Sequence, residues 1–210
     1  MKKIVFNLRE GVSKLFHKNI RDDHFGWVDL GLPSGTKWAT CNIGASSPSD
    51  FGNYYAWGEV EDKKEYSWRT YIFSKRLIKY NDTDSKLLLD PENDAACINC
   101  GKKWRMPTID EWKELKNCCT WNWTTLNGTT GYKITGINNE CSLFLPAVGL
   151  ITGRDYYDVS SKGYYWSSER HPSEIETALC VHFYSDGTRF LSYTHRNIGF
   201  AIRPVLVIDQ

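Results

Sequence analysis

The sequence lacks both a strong net charge and a long apolar run. Its 26 lysines and arginines nearly balance 25 aspartates and glutamates, which leaves a formal net charge of +1. A chain without a basic excess has no general electrostatic attraction to nucleic acid or to anionic lipid. No apolar run reaches the roughly 18 residues that a membrane-spanning helix needs. These shortages predict that the partner is neither a nucleic acid nor a bilayer.

Motifs that identify the common enzyme classes are also missing. The chain has no glycine-rich phosphate loop, no nucleophile elbow and no zincin helix. Its 5 histidines are scattered, and none forms a short-range pair of the metal-binding type. His182 and His195 can approach each other only if their strands are neighbours. The sequence therefore predicts a protein that is not an enzyme.

The cysteines and carboxylates give only weak indications of a metal. Cys97 and Cys100, followed by the adjacent Cys118 and Cys119, resemble a zinc ligand set. Adjacent cysteines seldom bind one ion with relaxed geometry, so buried free thiols are the favoured interpretation, with disulfides as an alternative if the protein is exported. We predict no cofactor. Calcium remains an alternative through four carboxylates: Asp50, Glu59, Glu61 and Asp62.

What the chain does have is an amphipathic start and many aromatic residues. Apolar residues recur at three- and four-residue intervals in residues 1–24, which predicts a helix and linker followed by one domain over residues 25–210. The apolar stripe is Val5, Leu8, Val12, Leu15, Phe16 and Ile20. This helix could dock onto the domain, join protomers in a homo-oligomer, or attach the chain to a larger assembly. Polar residues interrupt it, so it is a poor secretory signal. We therefore expect synthesis in the cytoplasm, with display on a cell or phage surface as an open alternative.

The clearest helix lies in the middle of the domain. In "MPTIDEWKELKNCC", Thr108 can cap the helix and Glu111 completes a capping box. The apolar residues of one helix face follow: Ile109, Trp112, Leu115 and Cys119. A shorter helix is predicted over residues 94–99.

The rest of the domain has the patterns of strands and turns. Two short strands are predicted around the turn at residues 32–35, and a hairpin around Asn127-Gly128. The segments "NYYAWGEV" and "YSWRTYIF" favour strands by composition, whereas residues 75–94 are polar and predict a surface excursion. In "TALCVHF", alternation places Leu179, Val181 and Phe183 on one face. Helices between two groups of strands predict an α+β fold.

Several separated segments resemble a known family. They are "WVDLGLPSGTKWATCNIGASSPSDFGNYYAWGEV", "WRMPTIDEWKEL", "FLPAVGL", "GYYWSSE" and "GFAIRPV". In this order they resemble the Fibrobacter succinogenes major paralogous domain of gut Bacteroidetes, over roughly residues 25–207. The resemblance implies a C-type lectin-like fold, with mostly antiparallel sheets and two helices, related to the formylglycine-generating enzymes.

The end of the chain is similar to the variable proteins of diversity-generating retroelements. The resemblance implies a fixed frame at Arg196, Gly199 and Arg203-Pro204-Val205, beside residues of types that can be reached from an AAC codon by changing adenines alone. It predicts a ligand-binding surface for a protein or glycan partner. Its residues are His171, Thr177, His182, Phe190, Ser192, Tyr193, Thr194, His195, Asn197 and Ile198.

Two other functions remain as alternatives. One is a copper oxidase of the formylglycine-generating type, and the other is a purely structural role on a cell surface or phage. Enzymes of that type use paired cysteines near the last motif, whereas this chain has no cysteine after Cys180. The resemblance therefore favours recognition, as in adhesion, over covalent chemistry.

Overall fold

The computed structural model describes residues 26–74, 78–187 and 191–207. The N-terminal segment predicted to be an amphipathic helix lies outside these residues, as does Phe190. Within the described ranges there are twelve strands and two α-helices. In chain order they are β1 Trp27–Asp29, β2 Lys37–Ala39, α1 Ala95–Cys100, β3 Trp104–Arg105, α2 Ile109–Asn117, β4 Cys119–Leu126, β5 Thr129–Gly136, β6 Ser142–Pro146, β7 Leu150–Thr152, β8 Asp155–Tyr157, β9 Lys162–Arg170, β10 Thr177–Tyr184, β11 Ser192–His195 and β12 Val205–Leu206.

The strands form four small sheets in which every pair of neighbouring strands is antiparallel. Their orders are β1-β2-β12-β3, β11-β10-β9, β4-β5-β6 and β7-β8. Strand β12 comes from the end of the chain and pairs between β2 and β3. The prediction of a mixed α+β fold with mostly antiparallel sheets is therefore confirmed. No helix in the described part of the chain is long and apolar enough to cross a membrane.

Both predicted reversals form because their residues supply the required backbone geometry. At the first, the N–H of Gly35 donates to the carbonyl of Leu32 over 2.9 Å, between β1 and β2. At the second, Asn127 and Gly128 have φ angles of 50° and 85°. Two consecutive positive φ angles fit a type I′ turn, which matches the twist of the strands it joins. The hairpin of β4 and β5 follows directly.

Helix α2 begins where the capping box predicts. The hydroxyl of Thr108 accepts the N–H of Glu111, and the Glu111 carboxylate accepts the N–H of Thr108 over 2.8 Å. Trp112 is fully buried, with its ring 4.7 Å from that of Trp38 on β2. The shorter helix is also confirmed as α1, capped by Asp94. Cys119 differs from its prediction, because it is buried as the first residue of β4 and not as part of the helix.

The aromatic segments that favoured strands fold differently. Within residues 53–73 only isolated bridges occur, at Tyr55 with Phe200 and at Tyr66 with Gly153. The rings enter the core, and their hydroxyls find backbone carbonyls: that of Tyr71 donates to Trp57 over 2.8 Å. In this segment, buried rings and the hydrogen bonds of their hydroxyl groups provide the stabilisation that the backbone hydrogen bonds of a strand pair would otherwise provide.

The prediction that residues 75–94 form a surface excursion needs correction. The polar segment ahead of α1 is not wholly external, because Tyr80 is completely buried. In β10 both faces carry buried side chains: Ala178 and Cys180 on one and Val181 and Phe183 on the other, while Leu179 is only half-buried. The pairing with β9 shifts register between Ala178↔Arg170 and Cys180↔Trp166, so the extra residues of this irregularity are in β9.

Candidate binding surface

The predicted contact residues lie on and around β11, the outer strand of the sheet β11-β10-β9. Side chains alternate along this strand, with Tyr193 and His195 exposed and with Ser192 and Thr194 half-buried. Tyr193 is 50% exposed, as befits a residue on the solvent face. Ser192 lies opposite Cys180 in the β10–β11 pair and so takes part in the packing beneath the strand. The outer face of β11 is the face that carries Tyr193 and His195.

Two aromatic side chains from elsewhere in the chain extend this face. The ring of His171, in the connection between β9 and β10, is 4.5 Å from the ring of Tyr193. The indole of Trp68 meets the ring of His195 edge-on, with 5.8 Å between centroids. We call these four side chains, His171, Tyr193, His195 and Trp68, the aromatic strip. Rigid rings of this kind lose little conformational entropy on binding and supply large contact areas.

The frame residue Arg196 holds the end of β11 in place from below. It is fully buried, and its guanidinium donates to the carbonyls of Lys79 and Tyr80. Its backbone N–H donates to Glu176 over 3.0 Å, and its carbonyl accepts the N–H of Trp57 over 2.8 Å. Burial lowers the pKa of Arg196 from the ordinary value, since the charged form is poorly solvated there. One residue thus joins three segments beneath the aromatic strip.

The frame continues through Gly199 and Arg203. Gly199 pairs with Ile151 through two backbone hydrogen bonds of 2.9 Å. A Cβ atom at Gly199 would lie 2.7 Å from the ring of Tyr66, so no larger residue fits without movement. Arg203 is fully buried and binds four acceptors. The residues that the family resemblance marks as fixed are therefore the ones that hold the core together.

Several predicted contact residues do not belong to the exposed surface. Thr177 and Asn197 are only 5% and 7% exposed, and the hydroxyl of Thr177 donates to the carbonyl of Glu174 over 3.0 Å. Ile198 is half-buried and packs against the core. Because their side chains face inward or serve the loop, we leave these residues out of the contact surface. Phe190 lies outside the described residues and stays a prediction.

His182 lies apart from the aromatic strip. It pairs across the sheet with Tyr164 of β9, and its ring is between those of Tyr164 and Tyr184, at 5.8 and 5.4 Å. His195 is opposite Thr177, at the other end of β10. The two histidines therefore do not come together.

Sequence reasoning missed Trp68 because nothing local links it to β11. Its segment is rich in aromatic residues, which is the one signal that pointed to it, but the same signal marks buried rings such as Tyr66 and Tyr71. Trp68 differs from these two in being only half-buried. Its ring packs edge-on against both Tyr71, with 5.5 Å between centroids, and His195.

The residues considered for copper do not fit that role. Cys180 is 1% exposed and lies opposite Trp166 on one side and Ser192 on the other. Burial raises the pKa of its thiol to about 12, which disfavours the thiolate that binds metals. A paired-cysteine copper site has no counterpart at this position.

Two of the four carboxylates considered for calcium have other partners. Glu59 is buried, pairs with Lys63 at 2.6 Å and accepts the N–H of Ile72 over 2.8 Å. Asp50 closes its own loop by accepting the N–H groups of Ser46 and Ser47. Among the residues that the structure describes, no three His, Cys, Asp or Glu side chains are grouped so that they could hold a metal ion.

A cavity of about 640 Å³ lies beside α1, away from the aromatic strip. Its apolar walls include Leu89, Ile98, Trp104 and Val207. The buried carboxylate of Asp94 in its lining is fully used, because it accepts N–H groups from α1 and from Met106. None of the sequence-predicted contact residues lines this cavity.

Comparisons with family models, curated proteins and solved structures found no match to this chain.

Proposed function

We propose that this chain is a non-enzymatic recognition protein that binds a protein or glycan partner through the aromatic strip. The observation that carries the proposal is the arrangement of Tyr193 and His195. Both are exposed on an outer strand and contact rings from distant segments, while Arg196 directly after them is fully buried. A rigid base reduces the entropy lost on binding, so a few rings can supply most of the affinity.

We further propose that the fold is of the C-type lectin type and that the chain is a variable protein of a diversity-generating retroelement. The family-like motifs, the antiparallel sheets and the two helices support the first point. The buried positions of Arg196, Gly199 and Arg203, beside exposed Tyr193 and His195, support the second. Under this proposal the protein acts on a cell or phage surface, where adhesion requires variable contacts. A lectin-like fold does not itself specify a carbohydrate ligand.

The test compares a double variant, Tyr193→Ala with His195→Ala, to the wild type. A glycan array and a phage-displayed peptide library are first screened with the wild-type protein, and the strongest binders are then titrated against each variant. We expect the double variant to lose at least about 2 kcal/mol of binding free energy, or about thirtyfold in affinity, as for buried aromatic anchors.

Tyr157→Ala is the matched control. Tyr157 is 48% exposed, close to the value for Tyr193, but lies on β8 in another sheet. Its loss should leave binding unchanged. If the double variant folds and binds every selected ligand as tightly as the wild type does, the aromatic strip is not the contact surface. If the screens yield no ligand at all, the purely structural role is favoured instead.

A further inference from the structure

Strand β11 has an open edge. In the described part of the chain it pairs with β10 alone, and it stands at the end of its sheet. The outer strand of a sheet carries backbone N–H and C=O groups that have no ladder partner.

The register of β11 shows which groups point outward. Its residues lie opposite those of β10 from the pair Thr177↔His195 to the pair Cys180↔Ser192. One residue further along, the N–H of Arg196 donates to the carbonyl of Glu176 in the same register. In an antiparallel pair, hydrogen-bonded and non-hydrogen-bonded residue pairs alternate. The backbone groups of Ser192 and Thr194 therefore face β10, while those of Tyr193 and His195 face away from it. The carbonyl of His195 accepts the N–H of Ile198 over 3.2 Å, whereas the N–H of His195 and both backbone groups of Tyr193 have no backbone partner among the described residues.

The strand lacks the residue types that usually block pairing at an edge. The residues Ser192–His195 include no proline and no lysine. Leu191, directly before the strand, and Tyr193 within it are 53% and 50% exposed, so solvent reaches the strand at these residues. Tyr193 and His195 point to the same face, about 7 Å apart along the strand.

We propose that the outer edge of β11 binds an extended peptide segment of a protein partner as an added strand. This inference rests on the proposed recognition function and specifies its ligand class. A peptide residue opposite Tyr193 in an antiparallel arrangement exchanges two hydrogen bonds with it, and the next N–H is supplied by His195. Alternate side chains of the peptide then contact the rings of the aromatic strip.

The edge favours a peptide over a glycan because of the order of its groups. A donor and an acceptor from one residue, followed by a donor from the next residue but one, match the spacing of an extended backbone. Main-chain bonds supply affinity, while Tyr193, His195 and Trp68 select the side chains.

The experiment measures the contribution of the Tyr193 ring to binding separately from that of the Tyr193 backbone N–H. The probe is the tightest decapeptide selected by the wild type from a random phage-displayed library. Tyr193→Val removes the ring and keeps the N–H, whereas Tyr193→Pro removes both, and an outward-facing N–H is the one that proline can replace in an edge strand. We expect Tyr193→Pro to bind the decapeptide about tenfold more weakly than Tyr193→Val, because one main-chain hydrogen bond is lost. Equal affinities of these two variants would overturn the added-strand model.

Amide hydrogen exchange of the wild type gives a second measurement if Tyr193→Pro fails to fold. We expect the amides of Tyr193 and His195 to become protected when the decapeptide binds. An unprotected Tyr193 amide in the saturated complex would overturn the inference. Selection of glycans but no peptide, with binding that depends on Tyr193 and His195, would also overturn it while the recognition function stands. A double variant, Tyr193→Val with His195→Ala, that binds the decapeptide as tightly as the wild type would instead show that the aromatic strip is not the recognition surface.

Discussion

Replacing Arg203 by methionine tests whether the fixed frame is a stabilising element. The guanidinium of Arg203 donates to the side-chain oxygen of Asn42 over 2.9 Å and to the carbonyls of Ala39, Thr40 and Phe144 over 3.0, 2.8 and 2.9 Å. It thereby joins the end of β2, the loop that follows it and β6 to the last segment of the chain. Methionine keeps much of the side-chain volume but supplies no donor.

The expected loss follows from opposing contributions. A hydrogen bond to a charged group contributes about 1.5 to 3 kcal/mol, so four of them give roughly 6 to 12 kcal/mol. Against this, burying a charge costs several kcal/mol, and burial indeed lowers the pKa of Arg203. Removing the guanidinium relieves that cost. We therefore expect Arg203→Met to lower the free energy of unfolding by about 3 to 5 kcal/mol, a large part of the roughly 5 to 15 kcal/mol typical of a domain.

Urea unfolding followed by tryptophan fluorescence measures this change, with the m-value as a check on two-state behaviour. Arg69→Met is the control, because the side chain of Arg69 is 74% exposed and makes an ion pair with Glu65 at 2.6 Å. An exposed pair of this kind contributes at most about 1 kcal/mol. A loss below about 1 kcal/mol for Arg203→Met, with an unchanged m-value, would refute the reasoning.

Two further predictions concern titratable groups. Burial raises the pKa of Cys180 to about 12, so iodoacetamide at pH 8 should not label this thiol in the folded protein, as read by mass spectrometry; labelling at the rate of the unfolded chain would contradict its burial. Burial also acts to raise the pKa of Glu111, but hydrogen bonds from Arg105 outweigh it and hold that pKa below its ordinary value. A lowered carboxyl pKa stabilises the fold above the unfolded value of about 4.3, and this contribution is lost as the pH falls through the folded value. The difference in melting temperature between wild type and Glu111→Gln should therefore shrink from pH 7 to pH 3, and a constant difference would be evidence against the ion pair.

The elements that could be predicted from the sequence are those that local chemistry determines. The capping box of α2 needs only Thr108 and Glu111, and the β4–β5 turn needs only Asn127 and Gly128. Each interaction lies within a few residues, so its geometry follows from the chain itself. The exposure of Tyr193 and His195 was expected from the family resemblance, and the alternation of β11 accounts for it.

The parts that could not be predicted depend on contacts between distant segments. No rule of residue spacing predicts that Trp68 contacts His195. Composition alone favoured strands in residues 53–73, whereas this segment buries its aromatic rings instead. The register shift between β9 and β10 lies at residues 167–169 of β9, a stretch that contains no glycine or proline. Tertiary packing overrides local preference in such places, since strand propensity mainly reflects the surroundings of the side chain.

The same contacts explain why an exposed surface lies beside a buried and firmly bonded part of the chain. Tyr193 and His195 are exposed, so substitutions there remove little buried area and, under the proposed function, change the partner contacts. Arg196 and Arg203 are fully buried and bind backbone carbonyls of several segments, so substitutions there leave acceptors without donors. Asn197 and Ile198 lie between these groups in sequence but belong with the buried set. Under the proposed diversification, the tolerated changes should therefore concentrate before Arg196, because the segment after it has to preserve the core.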